Sequence, residues 1–138
     1  SNPYGIGQDK KRTQGIIPIL INKLLTDEPI CIYGDGSNER DYIYINDLTN
    51  GLEKAFYYSG QARVFHLGYG KYYTINQIIE KIEKSFGKKF KEITHIPQRK
   101  CDVNRSYLDF SVSQNELNWK PTCSIDKGIE LLKQQMGV

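Results

Sequence analysis

Apolar residues recur along this chain with two different periods, and their alternation predicts the class of fold. Ile17, Leu20, Ile21 and Leu24 fall on one helical stripe, which Ile16, Ile19 and Leu25 widen until most sides of the helix are apolar. Pro18 is tolerated in its first turn. Ile30 to Tyr33 is a short β-rich run, Gly34-Asp35-Gly36 is a turn signal, and from Asp41 to Ile45 two tyrosines alternate with two isoleucines as in a strand. These two strands need not pair with each other. Asn46 or Asp47 is then placed to cap a helix that carries Leu48, Leu52, Ala55 and Phe56 on one face.

Further along, Val64 to Leu67 reads as a strand. Thr74 and Gln77 form a capping-box pattern for a helix built on Ile75, Ile78, Ile79, Ile82 and Phe86, with Gly87 as its C-terminal stop. Residues 91 to 96 read as another strand, Asp109 can cap a short helix running through Leu117, and Ser124 caps a last helix using Ile125, Ile129, Leu132 and Met136. Short strands alternating with helices make the chain α/β. At 138 residues it has room for one core, so residues 1–138 are expected to form a single domain.

Composition changes this picture little. Nineteen basic residues are interleaved with sixteen acidic ones, and the net charge of +3 is not that of a nucleic-acid-binding protein. The densest basic stretch, Lys81 to Lys100, is interrupted by Glu83 and Glu92 and preceded by Glu80, at helical spacing from Lys84, and reads as a solvated helix face. Its alternative is a basic module that stacks bases on Tyr69, Tyr72 and Tyr73. The apolar runs are too short to span a bilayer and no signal-peptide pattern opens the chain, so a cytoplasmic location is expected. Cys31, Cys101 and Cys123 lack metal-site spacing and read as reduced thiols. The sole methionine is Met136 and the chain opens on a loop-like Ser1-Asn2-Pro3-Tyr4-Gly5, which suggests a piece of a longer protein.

Three stretches invite a chemical reading. Gly68-Tyr69-Gly70 follows a strand and precedes a helix, but the third glycine of a dinucleotide-binding fingerprint would fall at Tyr73, where a ring blocks close helix packing. Turn glycines explain it better. His66, mid-strand among apolar neighbours, reads as a packed residue rather than a catalyst. The second stretch places Arg40 at the mouth of a strand after a glycine-rich turn, where a guanidinium could fork onto a diphosphate and the glycines could let a ligand near the backbone. A surface turn with an Arg40-Asp41 pair accounts for the same residues equally well. In the third, Arg99 could grip phosphate while Asp102 accepts from a sugar hydroxyl or orients an arginine.

Asn2-Pro3-Tyr4-Gly5 with Gln8, Gly15-Ile16-Ile17-Pro18, Ile32-Tyr33-Gly34-Asp35-Gly36, and Arg40 through Leu48 together resemble the C-terminal half of an extended short-chain dehydrogenase/reductase. Phe65-His66-Leu67-Gly68, Arg99 to Val103 and Leu117-Asn118-Trp119-Lys120-Pro121 continue in that family's order. The UDP-glucose 4-epimerase branch is favoured. The resemblance implies that NAD is held mainly by an N-terminal Rossmann half, which also supplies a Tyr-x-x-x-Lys catalytic pair; neither lies in this chain, which should be inactive alone. It implies that this half grips the nucleotide of a UDP-hexose. Asn2 matches a substrate contact, Pro3 the position beside the nicotinamide, and Gly15 and Ile16 the backbone facing the phosphates. Cys31 and Tyr33 match the strand that flanks uracil, Arg40 and Arg99 the diphosphate clamp, and Asp102 the ribose partner. Cys101 replaces a glycine often found before that aspartate. Ser106 matches a position bordering the sugar's C2 substituent, where a small residue would admit an N-acetyl group. A nucleotide-sugar 4,6-dehydratase or a UDP-glucuronate decarboxylase would use the same half, and a homodimer of the full-length enzyme stays open.

Overall fold

A computed structural model describes residues 1–8 and 15–137. Most of the loop expected before Gly15 therefore lies outside the described residues. The elements run β1 (Asn2–Tyr4), α1 (Ile16–Leu25), β2 (Ile30–Tyr33), β3 (Glu39–Tyr44), α2 (Ile45–Phe56), β4 (Tyr72–Thr74), α3 (Ile75–Phe86), β5 (Ile93–Ile96), β6 (Arg105–Ser106), α4 (Ser111–Leu117) and α5 (Ile125–Gln135). This is the mixed α/β arrangement that the two periods predict.

β3 organises one sheet. It pairs in parallel with β1, antiparallel with β4 and, through Glu39 and Arg40, in parallel with β6. β2 and β5 form a separate parallel pair, so the strands over 30–33 and 39–44 do not ladder together. Helices α1, α3 and α5 cover these strands, and their apolar stripes meet β-residues such as Ile30, Ile32, Tyr42 and Tyr44 in one core. A second, smaller cluster gathers Ile43, Leu67, Leu117 and Trp119 beneath α2.

The helix ends follow local chemistry. Thr74 and Gln77 form the reciprocal capping box, with Thr74 Oγ1 accepting from Gln77 N at 3.1 Å and Gln77 Oε1 accepting from Thr74 N at 2.9 Å. Gly87 closes α3 in the left-handed region at φ 63°. Ser124 Oγ accepts from Lys127 N at 3.3 Å to start α5. Asp109 lies one residue ahead of the α4 cap position and accepts from Ser111 N at 2.8 Å.

Four expectations need correction. The helix after β3 begins at Ile45 with Tyr44 at the cap position, so neither Asn46 nor Asp47 caps it. Asp47 instead turns inward, where Oδ2 accepts from Thr122 N (2.9 Å) and Cys123 N (2.8 Å) while Oδ1 accepts from Thr122 Oγ1 (2.9 Å). The apolar face of α2 is rotated: Leu52 is 55% and Phe56 83% exposed. Gly51 is what allows this, because a Cβ there would stand 2.7 Å from Leu67 Cδ2 and 3.0 Å from Trp119 Cε2. Val64 to Leu67 joins no ladder, and His66 is exposed, with its carbonyl accepting from Ser113 Oγ at 2.7 Å. A strand needs a partner, and none of the described strands forms a ladder with this segment. Lys81 pairs across to Asp126 at 2.8 Å, Lys88 to Asp27 and Lys89 to Glu83, whereas the expected Glu80–Lys84 pair is not among the ion pairs of the described residues. Those pairings break up the basic stretch.

Candidate functional site

Strand alternation and one helix start converge on a single open cavity of about 280 Å³. β2 buries Ile30 and turns Cys31 and Tyr33 outward to the wall; Ile32, though core, also reaches the lining. Arg40 and Tyr42, two apart on β3, share one face and line it, while Asp41 between them points away. Asn2, Pro3 and Tyr4 arrive from β1, Gly15, Ile16 and Ile17 from the start of α1, and Arg99 and Asp102 from the turn after β5.

The backbone of β2 has two inequivalent edges. Ile30 N donates to Glu92 O at 3.0 Å and Gly34 N to Ile96 O at 2.8 Å, so even-numbered residues spend their main-chain groups on β5. By the alternation of a parallel ladder, the N–H and C=O of Cys31 and Tyr33 face the opposite edge, which no described strand covers. That edge can read a planar heterocycle by main-chain hydrogen bonds, and the Tyr33 ring offers it an apolar face.

Positive potential gathers beside this edge. Arg40 is half-buried, with Nη1 donating to the Glu39 carbonyl at 2.9 Å. Arg99 stacks on Tyr33, its guanidinium carbon 3.8 Å from the ring centroid. α1 starts at Gly15 (φ 89°) with no side-chain cap, and Pro18 has no N–H, so the first-turn donors of Ile16 and Ile17 remain for an outside acceptor. Two forked cations and a helix start suit a diphosphate. The 99–102 turn closes by Asp102 N donating to Arg99 O at 3.1 Å, and Cys101 takes its place there without a left-handed backbone. Gln98 Nε2 ties this turn to Asn38 Oδ1 (3.4 Å) and Asn104 Oδ1 (3.3 Å), and Glu39 pairs with Arg105.

Two tyrosines in the lining are not poised as bases. Burial pushes the Tyr42 phenol up to about 12 despite Arg40 nearby, and burial raises Tyr4 further. Both stay protonated at neutral pH, so neither serves as a base there.

Nine of the ten residues singled out from sequence thus surround one cavity: Asn2, Pro3, Gly15, Ile16, Cys31, Tyr33, Arg40, Arg99 and Asp102. Ser106 does not line it. It sits in β6 beside Arg40, exposed. Gly34 and Gly36 also lie off the wall, so they do not bring a ligand to the backbone; at φ 74° and 78° they form the turn, and Gly36 makes room for Asn76, whose Nδ2 donates to Asp35 O at 2.9 Å. Sequence reasoning missed Tyr4, Ile17, Ile32, Asn38, Tyr42 and Ile75 as lining residues. Period-two alternation from Arg40 could have found Tyr42.

The glycine-rich turn that resembles a dinucleotide-binding fingerprint is occupied from within the protein. In Gly68-Tyr69-Gly70 the N–H donors that would meet a pyrophosphate are committed to Asp41, at 2.8 Å from Tyr69 N and 2.9 Å from Gly70 N. That turn is therefore no site for the cofactor.

Comparison with known proteins identifies the family. Residues 1–132 match the family model described as GDP-mannose 4,6 dehydratase. A dTDP-4-dehydro-6-deoxyglucose reductase of Escherichia coli is 39% identical over 136 residues, which are 96% of this chain and 42% of the relative. A putative UDP-glucose 4-epimerase of Methanocaldococcus jannaschii is 32% identical over 94% of this chain and 41% of its own length. The crystal structure of a Thermotoga maritima UDP-glucose 4-epimerase with UDP-glucose superposes with a TM-score of 0.90 at 32% identity, over 99% of this chain and 43% of that one. The chain thus spans about two fifths of the length of these relatives. With the shared architecture and a match over nearly all its residues, the chain belongs to the NAD-dependent epimerase/dehydratase family of extended short-chain dehydrogenases/reductases.

Proposed function

We propose that residues 1–138 form the nucleotide-sugar-binding portion of an NAD-dependent UDP-hexose 4-epimerase. The observation that carries this reading is the junction of the free β2 edge at Cys31 and Tyr33 with Arg40, Arg99 and the uncapped start of α1, all on one cavity. The edge takes the uracil, the cations and helix start take the diphosphate, and Asp102 accepts from a ribose hydroxyl. Asn2 and Pro3 lie on the sugar and nicotinamide side. Because the sugar must turn over between half-reactions, the protein holds the nucleotide firmly and the hexose loosely. NAD and the Tyr-x-x-x-Lys pair belong, in this reading, to residues outside 1–138.

A second reading is favoured by the greater identity to the Escherichia coli reductase: the same portion of an enzyme reducing a dTDP-linked 4-keto sugar. Nicotinamide bookkeeping separates the two. The intact protein is expected to interconvert UDP-galactose and UDP-glucose with no net change in nicotinamide redox state, and residues 1–138 alone to turn over neither. Net oxidation of reduced nicotinamide with a dTDP-4-keto sugar, without UDP-hexose interconversion, would establish the second reading. Turnover by residues 1–138 alone would contradict both.

A further inference from the structure

Asp41 is 1% exposed and points away from the cavity, yet it is bonded to the Ser1–Asn2 segment, which brings Asn2 to the cavity, and to Leu108, at the end of the loop that carries Arg99 and Asp102. Oδ1 accepts from Tyr69 N at 2.8 Å and lies 2.8 Å from Ser1 Oγ; Oδ2 accepts from Gly70 N at 2.9 Å and Leu108 N at 3.3 Å. Its own carbonyl accepts from Asn2 Nδ2 at 2.8 Å and lies 2.9 Å from Ser1 Oγ. Gly68 keeps this pocket open, since a Cβ there would stand 2.8 Å from Oδ2. The glycine-rich turn is thus a nest for an internal carboxylate, and the donors it meets include three main-chain N–H groups and a hydroxyl.

We infer that Asp41 is a positioning residue for the ligand cavity, fixing the Ser1–Tyr4 segment and the loop from Arg99 to Leu108 against β3. The carboxylate is on the neighbouring position to Arg40, so the strand that presents the cation to the cavity also anchors the walls on either side. One wall carries Asn2, Pro3 and Tyr4, and the other carries Arg99 and Asp102. A carboxylate suits this task because it only accepts hydrogen bonds and can serve four donors at once. An asparagine of the same shape offers one oxygen, and its NH2 would face donors at the other site.

The inference rests on the nucleotide reading of the cavity, and the test separates the two. Asp41→Asn is compared with Asp47→Asn in the intact protein; Asp47 is likewise buried and accepts from two main-chain N–H groups, but it staples α2 to the 119–123 segment and does not line the cavity. Amide hydrogen exchange over residues 1–4 and 99–108 is expected to rise in Asp41→Asn and not in Asp47→Asn. UDP affinity is expected to fall about tenfold in the first, the scale of an unsatisfied buried donor, and to stay within about twofold in the second. Should Asp41→Asn fail to fold, Ser1→Ala removes one tether only, and is expected to raise exchange in residues 1–4 and weaken UDP about threefold. Unchanged exchange in these segments overturns the inference, as does raised exchange with unaltered UDP affinity. A wild-type protein that binds no UDP instead removes the nucleotide reading, and exchange alone then decides whether Asp41 positions these walls.

Discussion

Gly128→Ala tests whether α5 and the cavity wall are packed as described. A glycine inside a helix costs about 1 kcal/mol relative to alanine, so helix propensity alone favours the substitution by that amount. Packing opposes it. A Cβ at position 128 would stand 2.1 Å from Tyr4 Oη and 2.7 Å from Tyr4 Cζ, so the ring must recede by more than 1 Å to restore ordinary contact. Tyr4 has little room: it is 3% exposed, set edge-on to Tyr44 with centroids 5.6 Å apart, and carried on β1. Overpacking of this kind costs about 1–3 kcal/mol, so a net destabilisation of about 1 kcal/mol is expected. Its hydroxyl also has no hydrogen-bond partner among the described residues, so Tyr4→Phe should be neutral or stabilise by about 1 kcal/mol. In the double variant the nearest atom is the ring carbon at 2.7 Å, giving partial relief. Urea unfolding of wild type, both single variants and the double closes the cycle, with a coupling of at least about 1 kcal/mol expected. Stabilisation by Gly128→Ala, or additivity of the two changes, would refute this packing.

Three further outcomes are expected. Iodoacetamide at pH 8 should label Cys31 and Cys101, which are exposed, and leave Cys123 until the protein unfolds, since burial both covers that thiol and raises its pKa; peptide mass spectrometry reads the order. Because burial raises the folded pKa of Tyr42 to about 12, its contribution to stability is complete below about 10, the ordinary tyrosine value, and is lost as pH rises through 12. Alkaline unfolding followed at 295 nm should show that loss, and Tyr42→Phe should diminish it. Because Ser106 is exposed in β6 and lies off the cavity wall, Ser106→Tyr in the intact protein should leave the ratio of specificity constants for N-acetylated over plain UDP-hexoses unchanged; a lowered ratio would put Ser106 beside the sugar.

The helices were legible where local chemistry decides them. Thr74 with Gln77, Ser124 and Gly87 mark helix ends by bonds made within a few residues, and the stripes of α1, α3 and α5 keep one period throughout. α2 was misread on its face because the deciding residue is Gly51, whose importance lies in the approach of Leu67 and Trp119 from distant parts of the chain. β1 and β6, three and two residues long, exist only through pairing with β3 and carry no period of their own. In the cavity, Arg40 and Arg99 stood out by charge beside glycine or proline turns. Asp41 did not: period-two alternation sets it opposite Arg40, but nothing in the sequence shows that the N–H groups of Tyr69, Gly70 and Leu108 converge on it. The free edge of β2 was equally hidden, because it depends on which neighbour takes the even-numbered main-chain groups.

The central claim is that Arg40 and Arg99 clamp a nucleotide diphosphate in this cavity, and calorimetric titration of UDP into the intact protein tests it most directly. Arg40→Ala and Arg99→Ala are each expected to weaken binding by roughly 1.5 to 3 kcal/mol, the scale of a lost charge-assisted hydrogen bond. Lysine at either position should recover only part of that, because it keeps the charge and loses the fork. UDP affinity unchanged in both alanine variants would contradict the account.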